Sequence, residues 1–213
     1  MKPSSIALIA LASIGSSTAH AVEIYGGAGT TGAEIGISQS ISSAFSARLD
    51  YNTFEINRSF TTNDIHYDAK LKASNAGAYI DYFILGGFRL TGGALIGNRN
   101  IHGTARGNGS SITLNGVIYP TTASDTLDFE AKFPNVTPYL GLGYGHNADA
   151  HGFGLYADLG VAYGRPKVQL SPSASLAAKV SQSDLAAEQS SAQDQANSFR
   201  FYPALKLGVR YQF

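Results

Sequence analysis

The sequence predicts an all-β protein, a closed eight-stranded antiparallel transmembrane β-barrel that follows an N-terminal signal peptide. Residues 199–213 alternate apolar with polar or small side chains, over a length that can cross a bilayer as one tilted strand of about 9–11 residues. Similar alternation recurs along the chain. Beyond the N-terminus, no stretch is apolar for the roughly 18 residues that a membrane-spanning helix needs.

The first 21 residues have the organisation of a secretory signal peptide. Lys2 supplies a positive charge, residues 6–14 form a short apolar core, and Ala19-His20-Ala21 is a small-residue cleavage site. We therefore expect a signal peptide at residues 1–21 and a single barrel domain at residues 22–213.

The composition suits an exported barrel and excludes several other classes of protein. There are 15 basic and 15 acidic residues, a balance that gives no indication of a nucleic-acid partner. The chain has no cysteine, so disulfides and thiolate metal sites cannot form. The 24 glycines suit the crowded interior of a narrow barrel, and the 12 tyrosines suit a membrane interface. No residue pattern predicts a cofactor or a metal ion.

Period-two alternation locates eight strands, the first of which is glycine-rich and the weakest. Their predicted ranges are 22–28, 31–41, 45–59, 64–82, 86–102, 127–146, 152–169 and 198–213. In the fourth strand the apolar side chains change parity near Ser74. In the sixth strand a similar change predicts a β-bulge at Pro134–Asn135.

The connections between these strands are asymmetric. An even strand number places both chain ends on one side, the periplasm, together with the short turns near Ser42, Ile84 and Ala148. The connections 103–126 and 171–197 then lie outside the cell. Short periplasmic turns and long external loops are typical of bacterial barrels, although two predicted external connections are also short.

The two long external connections have different character. In the first, Asn115-Gly116 between β-forming residues predicts a tight hairpin, so the strands should extend above the membrane. In the second, residues 174–196 have helix-forming composition with a weak apolar stripe. A partly ordered helix is expected there, with disorder as the alternative.

The polar faces of the strands carry charges of both signs. The interior of an eight-stranded barrel is just wide enough for side chains, where isolated charges would be costly, so these charges should pair across strands. We expect cations such as Arg89 to pair with carboxylates such as Asp81 and Asp158 and to plug the lumen. The predicted network comprises Arg48, Asp50, Asp81, Arg89, Asp158, Lys206 and Arg210. The polar faces also carry Glu34, Lys70, Lys72, Arg99, Glu130, Lys132 and Arg200.

Several stretches of the sequence resemble small bacterial outer-membrane barrels of the OmpA-transmembrane, OmpX and OmpW kind, and a poorly characterised proteobacterial family of this class. They are residues 79–82, 86–90, 138–145 and 157–161 and the terminal strand, with Leu207, Val209, Tyr211 and Phe213 in its apolar positions. The resemblance implies an outer-membrane location and a C-terminal signal for the assembly machinery. It implies outer-membrane lipid and lipopolysaccharide as partners and a monomer, but no catalytic motif.

Three functions remain open from the sequence. A structural or surface-interaction role with a plugged lumen leads, and a narrow porin-like channel for ions or small solutes is the alternative. An outer-leaflet lipid-modifying enzyme is third, because His66, His102, Ser110, Ser111 and Asp125 at the outer rim form no recognisable triad.

Two further interpretations complete the sequence-based picture. His146 and His151 flank a periplasmic turn and are expected to be solvated rather than metal-binding. A soluble lipocalin-like barrel would place the apolar faces inside and the charges outside; alternation alone does not separate it from the membrane barrel. The terminal Phe213, the lack of disulfides and the charge-balanced polar face favour the membrane.

Overall fold

The protein is seen in a computed structural model that describes residues 21–62, 65–107, 109, 111–146 and 151–213. Of the predicted signal peptide only Ala21 is described, so the cleavage site remains a prediction. The expected periplasmic turn at Ala148 and the candidate Ser110 also lie outside the described residues.

The described chain consists of twelve strands and two helices. The strands are β1 (Val22–Gly29), β2 (Gly32–Ser40), β3 (Phe45–Thr62), β4 (Ile65–Leu85), β5 (Phe88–Arg106), β6 (Ser111–Leu114), β7 (Val117–Pro120), β8 (Thr126–Lys132), β9 (Val136–Tyr144), β10 (Gly152–Tyr163), β11 (Lys167–Pro172) and β12 (Phe201–Gln212). The helices are α1 (Ala174–Ala177) and α2 (Gln182–Asn197).

Eight of these strands close into a ring, which confirms the predicted all-β, eight-stranded antiparallel barrel. The order around the ring is β1, β2, β3, β4, β5, β9, β10, β12 and back to β1. Tracing paired residues from strand to strand once around the ring leads back to β1 at a position about ten residues from the starting residue. This stagger corresponds to strands tilted by about 40° from the barrel axis. Closure leaves the ring with no free sheet edge.

Both ends of the described chain lie at the same end of the ring. Glu23 stands opposite Gln212, and the Phe213 N–H donates to the carbonyl oxygen of Val22 at 3.1 Å. The short connection 41–44 and the tight turn 86–87 lie at this end. The long connections lie at the other end, where they form a cap. The cap consists of the outer parts of β3, β4 and β5 with β6, β7, β8, β11, α1 and α2.

The apolar side chains of β4 change parity near Ser74, as predicted, but the backbone alternation continues through this point without a break. The pairing of β3 with β4 keeps one register along its whole length. What changes is the chemistry of the two faces. On the ring side of Ser74, Asp81 points inward and Ile80 outward; on the cap side, Leu71 points inward while Lys72 is exposed outside.

The predicted β-bulge at Pro134–Asn135 is wrong. Strand β5 pairs with β8 and with β9 in one continuous register, with Asn100 opposite Lys132 and Ile96 opposite Val136, so no extra residue is present. The strand is only interrupted, at a proline that has no N–H to donate. Again the two faces exchange polarity while the backbone keeps its alternation.

The cap is a five-stranded sheet closed off by helix and hairpin. Its strand order is β11, β8, β5, β4, β3, and β6 pairs with β7 through the predicted Asn115-Gly116 turn, where both residues have positive φ. Helix α2 runs along the free edge of β11. There the N–H groups of Val168 and Leu170 donate to the side-chain oxygens of Gln193 and Gln189 at 2.9 and 3.4 Å. The helix thereby protects an edge strand that would otherwise expose unpaired backbone groups.

Helix α2 confirms helical structure within the second long connection. It begins after Ser181, whose side chain accepts the N–H of Asp184, and none of its residues is buried. In the described part of the chain, no helix is both long enough and apolar enough to span a membrane.

Candidate functional site

Four charged side chains from four strands form a closed square inside the ring. Arg48 of β3 contacts Asp81 of β4 (Nε to Oδ2, 2.5 Å) and Asp158 of β10 (Nη1 to Oδ2, 3.2 Å). Arg89 of β5 contacts the same two carboxylates, with Nε 3.4 Å from Oδ1 of Asp81. Each of the four residues is at most 2% exposed. Every cation therefore touches both anions, the arrangement that a low-dielectric interior requires.

Neutral groups supply further hydrogen bonds to this square. The hydroxyl of Thr91 donates to Oδ1 of Asp81 at 2.6 Å, and that of Ser46 to Oδ2 at 3.3 Å. Arg89 also donates to the carbonyl oxygen of Gly145 at 2.9 Å. The two neighbouring strands β3 and β5 thus hold Asp81 of β4 from several directions.

A second group of ion pairs is centred on Lys206 of β12. Its ammonium lies 2.6 Å from Oε2 of Glu34 and 3.0 Å from Oδ2 of Asp50. Asn52 donates to the other Asp50 oxygen at 2.6 Å. Lys206 thereby links β12 to β2 and β3 through the barrel interior. Its carboxylate partners are Glu34 and Asp50, and not Asp158, which stands opposite it in the β10–β12 register.

A third group lies at the end of the ring where the chain termini meet. Glu23 of β1 contacts Nδ1 of His146 and, at 3.4 Å, Nη1 of Arg210. The His146 ring stands between Tyr25 and Tyr156, with ring centroids 4.7 and 4.5 Å away. All of these side chains are buried.

The expectation that His146 is a solvated turn residue is wrong. It is 2% exposed, because the backbone turns at a positive φ of 56° directly after β9 and directs the ring into the barrel. Nothing in the local sequence indicates this inward direction. His151, by contrast, is exposed, and its Nδ1 lies 3.1 Å from the carbonyl oxygen of Phe213.

Charge is balanced among the described residues buried within the ring. The five cations are Arg48, Arg89, Arg99, Lys206 and Arg210, and the five carboxylates are Glu23, Glu34, Asp50, Asp81 and Asp158. Every residue of the predicted network lies inside. Sequence reasoning missed Glu23, although its alternation with Val22 and Ile24 could have placed it on the polar face.

Several residues from the predicted polar faces lie outside the ring interior. Lys70, Lys72, Lys132 and Arg200 are exposed at the cap, where the outer face is the charged one. Lys70 pairs with Glu55 at 2.9 Å. Polar faces therefore point inward in the ring and outward in the cap.

Glycines make room for the buried side chains. A Cβ atom at Gly143 would overlap the paired Asp158 and Arg89, and one at Gly160 would overlap the ring of Tyr139. Tyr139 packs against Tyr79 with ring centroids 5.2 Å apart, next to Leu95, Ala162 and Ala204. Because Gly143 and Gly160 carry no side chain, the ion pairs and the tyrosine cluster can pack closely against the barrel wall.

The outer surface of the ring is apolar and exposed. Its large apolar side chains include Ile24, Ile35, Leu49, Ile80, Leu90, Leu140, Leu142, Leu155, Leu159, Leu205, Leu207 and Val209. Aromatic pairs lie near the end with the termini: Phe45–Tyr82, Phe88–Tyr144 and Phe153–Tyr211. Of the predicted C-terminal signal, Leu207, Val209 and Phe213 are exposed on this surface and Tyr211 is half-buried.

The cap has its own small core and a cavity. Leu114 of the hairpin packs with Leu176 and Val180, all three buried. Between the sheet, the hairpin and α2 lies a cavity of about 390 Å³. Its walls are mainly apolar, and include Ile112, Leu114, Leu127, Phe129 and Leu170, with Glu188 contributed by α2.

Polar contacts tie α2 to the hairpin. Tyr119 donates to Oδ2 of Asp184 at 2.5 Å, and the Asn115 side chain donates to Oδ1 at 3.1 Å. The Asn115 N–H donates to Oε2 of Glu188 at 2.9 Å. Hydrogen bonds from Tyr119, Asn115 and Ser181 lower the pKa of Asp184 below its usual value. Because α2 buries no apolar face, it is held in place by these contacts with the hairpin together with those of Gln189 and Gln193 with β11.

We predict that Asp184→Asn releases α2 from the hairpin. Because the pKa of Asp184 is lowered in the folded protein, its contribution to holding α2 in place is complete above its ordinary pKa near 3.9. That contribution is lost as the pH falls through the lowered pKa. Pepsin should therefore cleave the variant near Leu185 rapidly at pH 4, whereas the wild type should be cleaved comparably fast only at lower pH. Asp194→Asn, at the exposed far end of the helix, is the control. Equal pepsin resistance of D184N and wild type at pH 4 would show that these contacts do not hold the helix.

Two solved structures have a similar fold. CarO of Acinetobacter baumannii matches with a TM-score of 0.61 and 20% sequence identity, over 90% of this chain and 97% of CarO. CarO2 of Acinetobacter baumannii matches with a TM-score of 0.62 and 19% identity, over 91% of this chain and 98% of that one. No family model matches the sequence, and no curated protein matches it significantly. The similarity extends over nearly the whole chain and supports the barrel fold.

Proposed function

We propose that this chain is an integral barrel of the bacterial outer membrane, with a lumen closed by paired charges and a structural or surface-interaction role. The observation that carries the proposal is the opposite chemistry of the two ring faces. Ion-paired side chains are buried within, while large apolar side chains such as Leu140 and Leu159 are 58% and 61% exposed outside. Such a continuous apolar surface requires a nonaqueous surrounding.

The backbone of the ring suits hydrocarbon. Every ring strand is hydrogen-bonded to two neighbours, so the described ring strands leave no open edge in the lipid. The polarity exchange near Ser74 and Pro134 then marks the outer boundary of the membrane, because beyond it the outward side chains are charged. The cap lies in water outside the cell, and short turns lie in the periplasm.

The closed lumen is supported by the spacing of the three ion-pair groups. The group at Lys206, the square at Arg48 and the group at Glu23 succeed one another along the barrel axis, and their side chains are almost inaccessible to solvent. Eight strands leave little space beyond that needed by side chains. An ion would have to separate several buried pairs in order to pass.

The surface role is supported by the folded cap. Loops that serve only as turns need no hairpin, helix or core of their own, whereas this cap has all three and a partly open cavity. A rigid scaffold that presents ordered loops is the usual arrangement of binding proteins.

Planar-bilayer recording of the refolded protein tests the closed lumen. We expect no steady single-channel current from the full chain, and none from a variant that lacks residues 174–197, since the ion pairs lie below that segment. Steady large currents from the full chain would instead favour the narrow porin-like channel. Currents only from the shortened variant would place the closure in the cap, contrary to the proposal.

A further inference from the structure

We propose that a cleft between β8, β11 and α2 binds a phosphate group of the lipopolysaccharide in the outer leaflet. This inference rests on the proposed membrane location and identifies a specific lipid contact. The cleft has a volume of about 380 Å³. The polar side chains in its lining are Glu130, Lys132, Lys167, Gln169 and Gln189.

Two lysines stand directly opposite each other in this cleft. Lys132 of β8 and Lys167 of β11 are cross-strand partners, and both are exposed on the outer face. Directly opposed like charges destabilise a sheet unless an anion lies between them. Lys132 contacts Glu130 at 2.9 Å, whereas Lys167 has no carboxylate within ion-pair distance among the residues described here. Two lysines against one glutamate leave the cleft with a net positive charge.

The chain on either side of Lys167 extends this charged surface. Tyr163, Arg165 and Lys167 are all exposed at alternate positions, and Tyr163 packs against the exposed Phe201 with ring centroids 5.4 Å apart. Arg165 also has no carboxylate within ion-pair distance in the described chain. At the surface of a membrane protein, aromatic side chains lie at the edge of the hydrocarbon and cationic side chains lie beyond them, at the level of the lipid headgroups. Tyr163 and Phe201, followed by Arg165 and Lys167, have this order.

The height of the lysines matches the headgroup layer. Lys167 follows the outward Tyr163 by four residues, and Lys132 precedes the outward Val136 by four residues. Four residues that follow the direction of strands tilted by about 40° rise by about 10 Å at most, which takes the lysines just beyond the apolar surface. The anions at that level are the phosphates of lipid A, so the cleft faces a phosphate carried by lipid rather than one free in solution.

Native mass spectrometry of the refolded full chain in detergent, titrated with bisphosphorylated lipid A, tests the proposal. The double variant Lys132→Gln/Lys167→Gln should bind lipid A about thirty-fold more weakly, as expected for two lysines near an anionic lipid surface. The matched control is Lys70→Gln/Arg106→Gln. It removes two cations from the cap that already contact Glu55 at 2.9 Å and Asp68 at 3.5 Å. It should bind as wild type does.

Dephosphorylated lipid A and inorganic phosphate identify the ligand chemistry. Dephosphorylated lipid A should bind all three proteins equally weakly, and inorganic phosphate at the same concentration should not displace lipid A. The proposal is overturned if K132Q/K167Q binds like wild type, if the control loses as much affinity, if dephosphorylated lipid A binds as tightly, or if inorganic phosphate competes. Heat-dependent gel migration of each protein is read in parallel. A protein that needs no detergent and shows no such shift would contradict the membrane location itself.

Discussion

Replacing Asp81 with asparagine is expected to lower the free energy of unfolding by about 3–5 kcal/mol, the usual cost of removing one partner from a buried ion pair. Asp81 is fully buried and lies between Arg48 and Arg89. Without its charge, two guanidinium groups share only Asp158. The chain has no tryptophan, so unfolding by urea is followed in lipid vesicles through far-UV circular dichroism and heat-dependent gel migration.

A second substitution separates loss of charge balance from local disruption. Adding Arg89→Met to Asp81→Asn leaves one cation and one carboxylate, Arg48 and Asp158, and should recover part of the lost stability. Glu55→Gln, which removes an exposed ion pair with Lys70, is the control and should leave the unfolding midpoint unchanged. If D81N unfolds at the same urea concentration as the wild type, the square of ion pairs does not stabilise the barrel.

With the ring in the proposed membrane location, replacing Leu159 with arginine is expected to cost about 2–4 kcal/mol of folding free energy in a bilayer, since a charge would then face hydrocarbon near its middle. Leu159 points outward, midway along an apolar row of β10 that extends from Phe153 to Tyr163. Folding yield and urea stability in vesicles measure the effect. In a water-soluble barrel the same exposed position would accept arginine at little cost.

Gln169→Arg provides the matched control for L159R. Gln169 is exposed on the same outer face, beyond the polarity exchange on β11. Arginine there should change stability by no more than about 0.5 kcal/mol. Equal effects of the two substitutions would mean that the outer face has one environment throughout, and the assignment of a membrane boundary between them would be wrong.

Alternation in the sequence predicted the strands because it depends only on neighbouring residues. The strands of the ring and the hairpin at Asn115-Gly116 follow from such local patterns. The bulge predicted at Pro134–Asn135 was wrong because apolar side chains were taken to face one way throughout, so that their change of parity was read as an extra residue. Their direction depends on what surrounds each face. In the ring the apolar face is outside, and in the cap it is covered by α2 and the hairpin.

The sequence indicated which charged residues lie inside the barrel, but not which of them form ion pairs with each other. Charges on the polar faces of strands had to lie inside a narrow barrel, and Arg48, Asp81, Arg89 and Asp158 do so. Their partners across the lumen depend on the stagger of all eight strands, which no local pattern encodes. His146 shows the same limit, because a single positive φ after β9 decides whether its ring is solvated or buried.

The most direct test of the two faces uses single tryptophans at adjacent positions of β9 in this tryptophan-free chain. Leu140 points outward and is 58% exposed, whereas Tyr139 points inward and is 5% exposed. In vesicles whose acyl chains carry bromine, fluorescence of Leu140→Trp should be strongly quenched and that of Tyr139→Trp should be nearly unaffected. Strong quenching at position 139 with little at position 140, or no quenching at either position, would contradict a barrel with its apolar face in lipid and its ion pairs within.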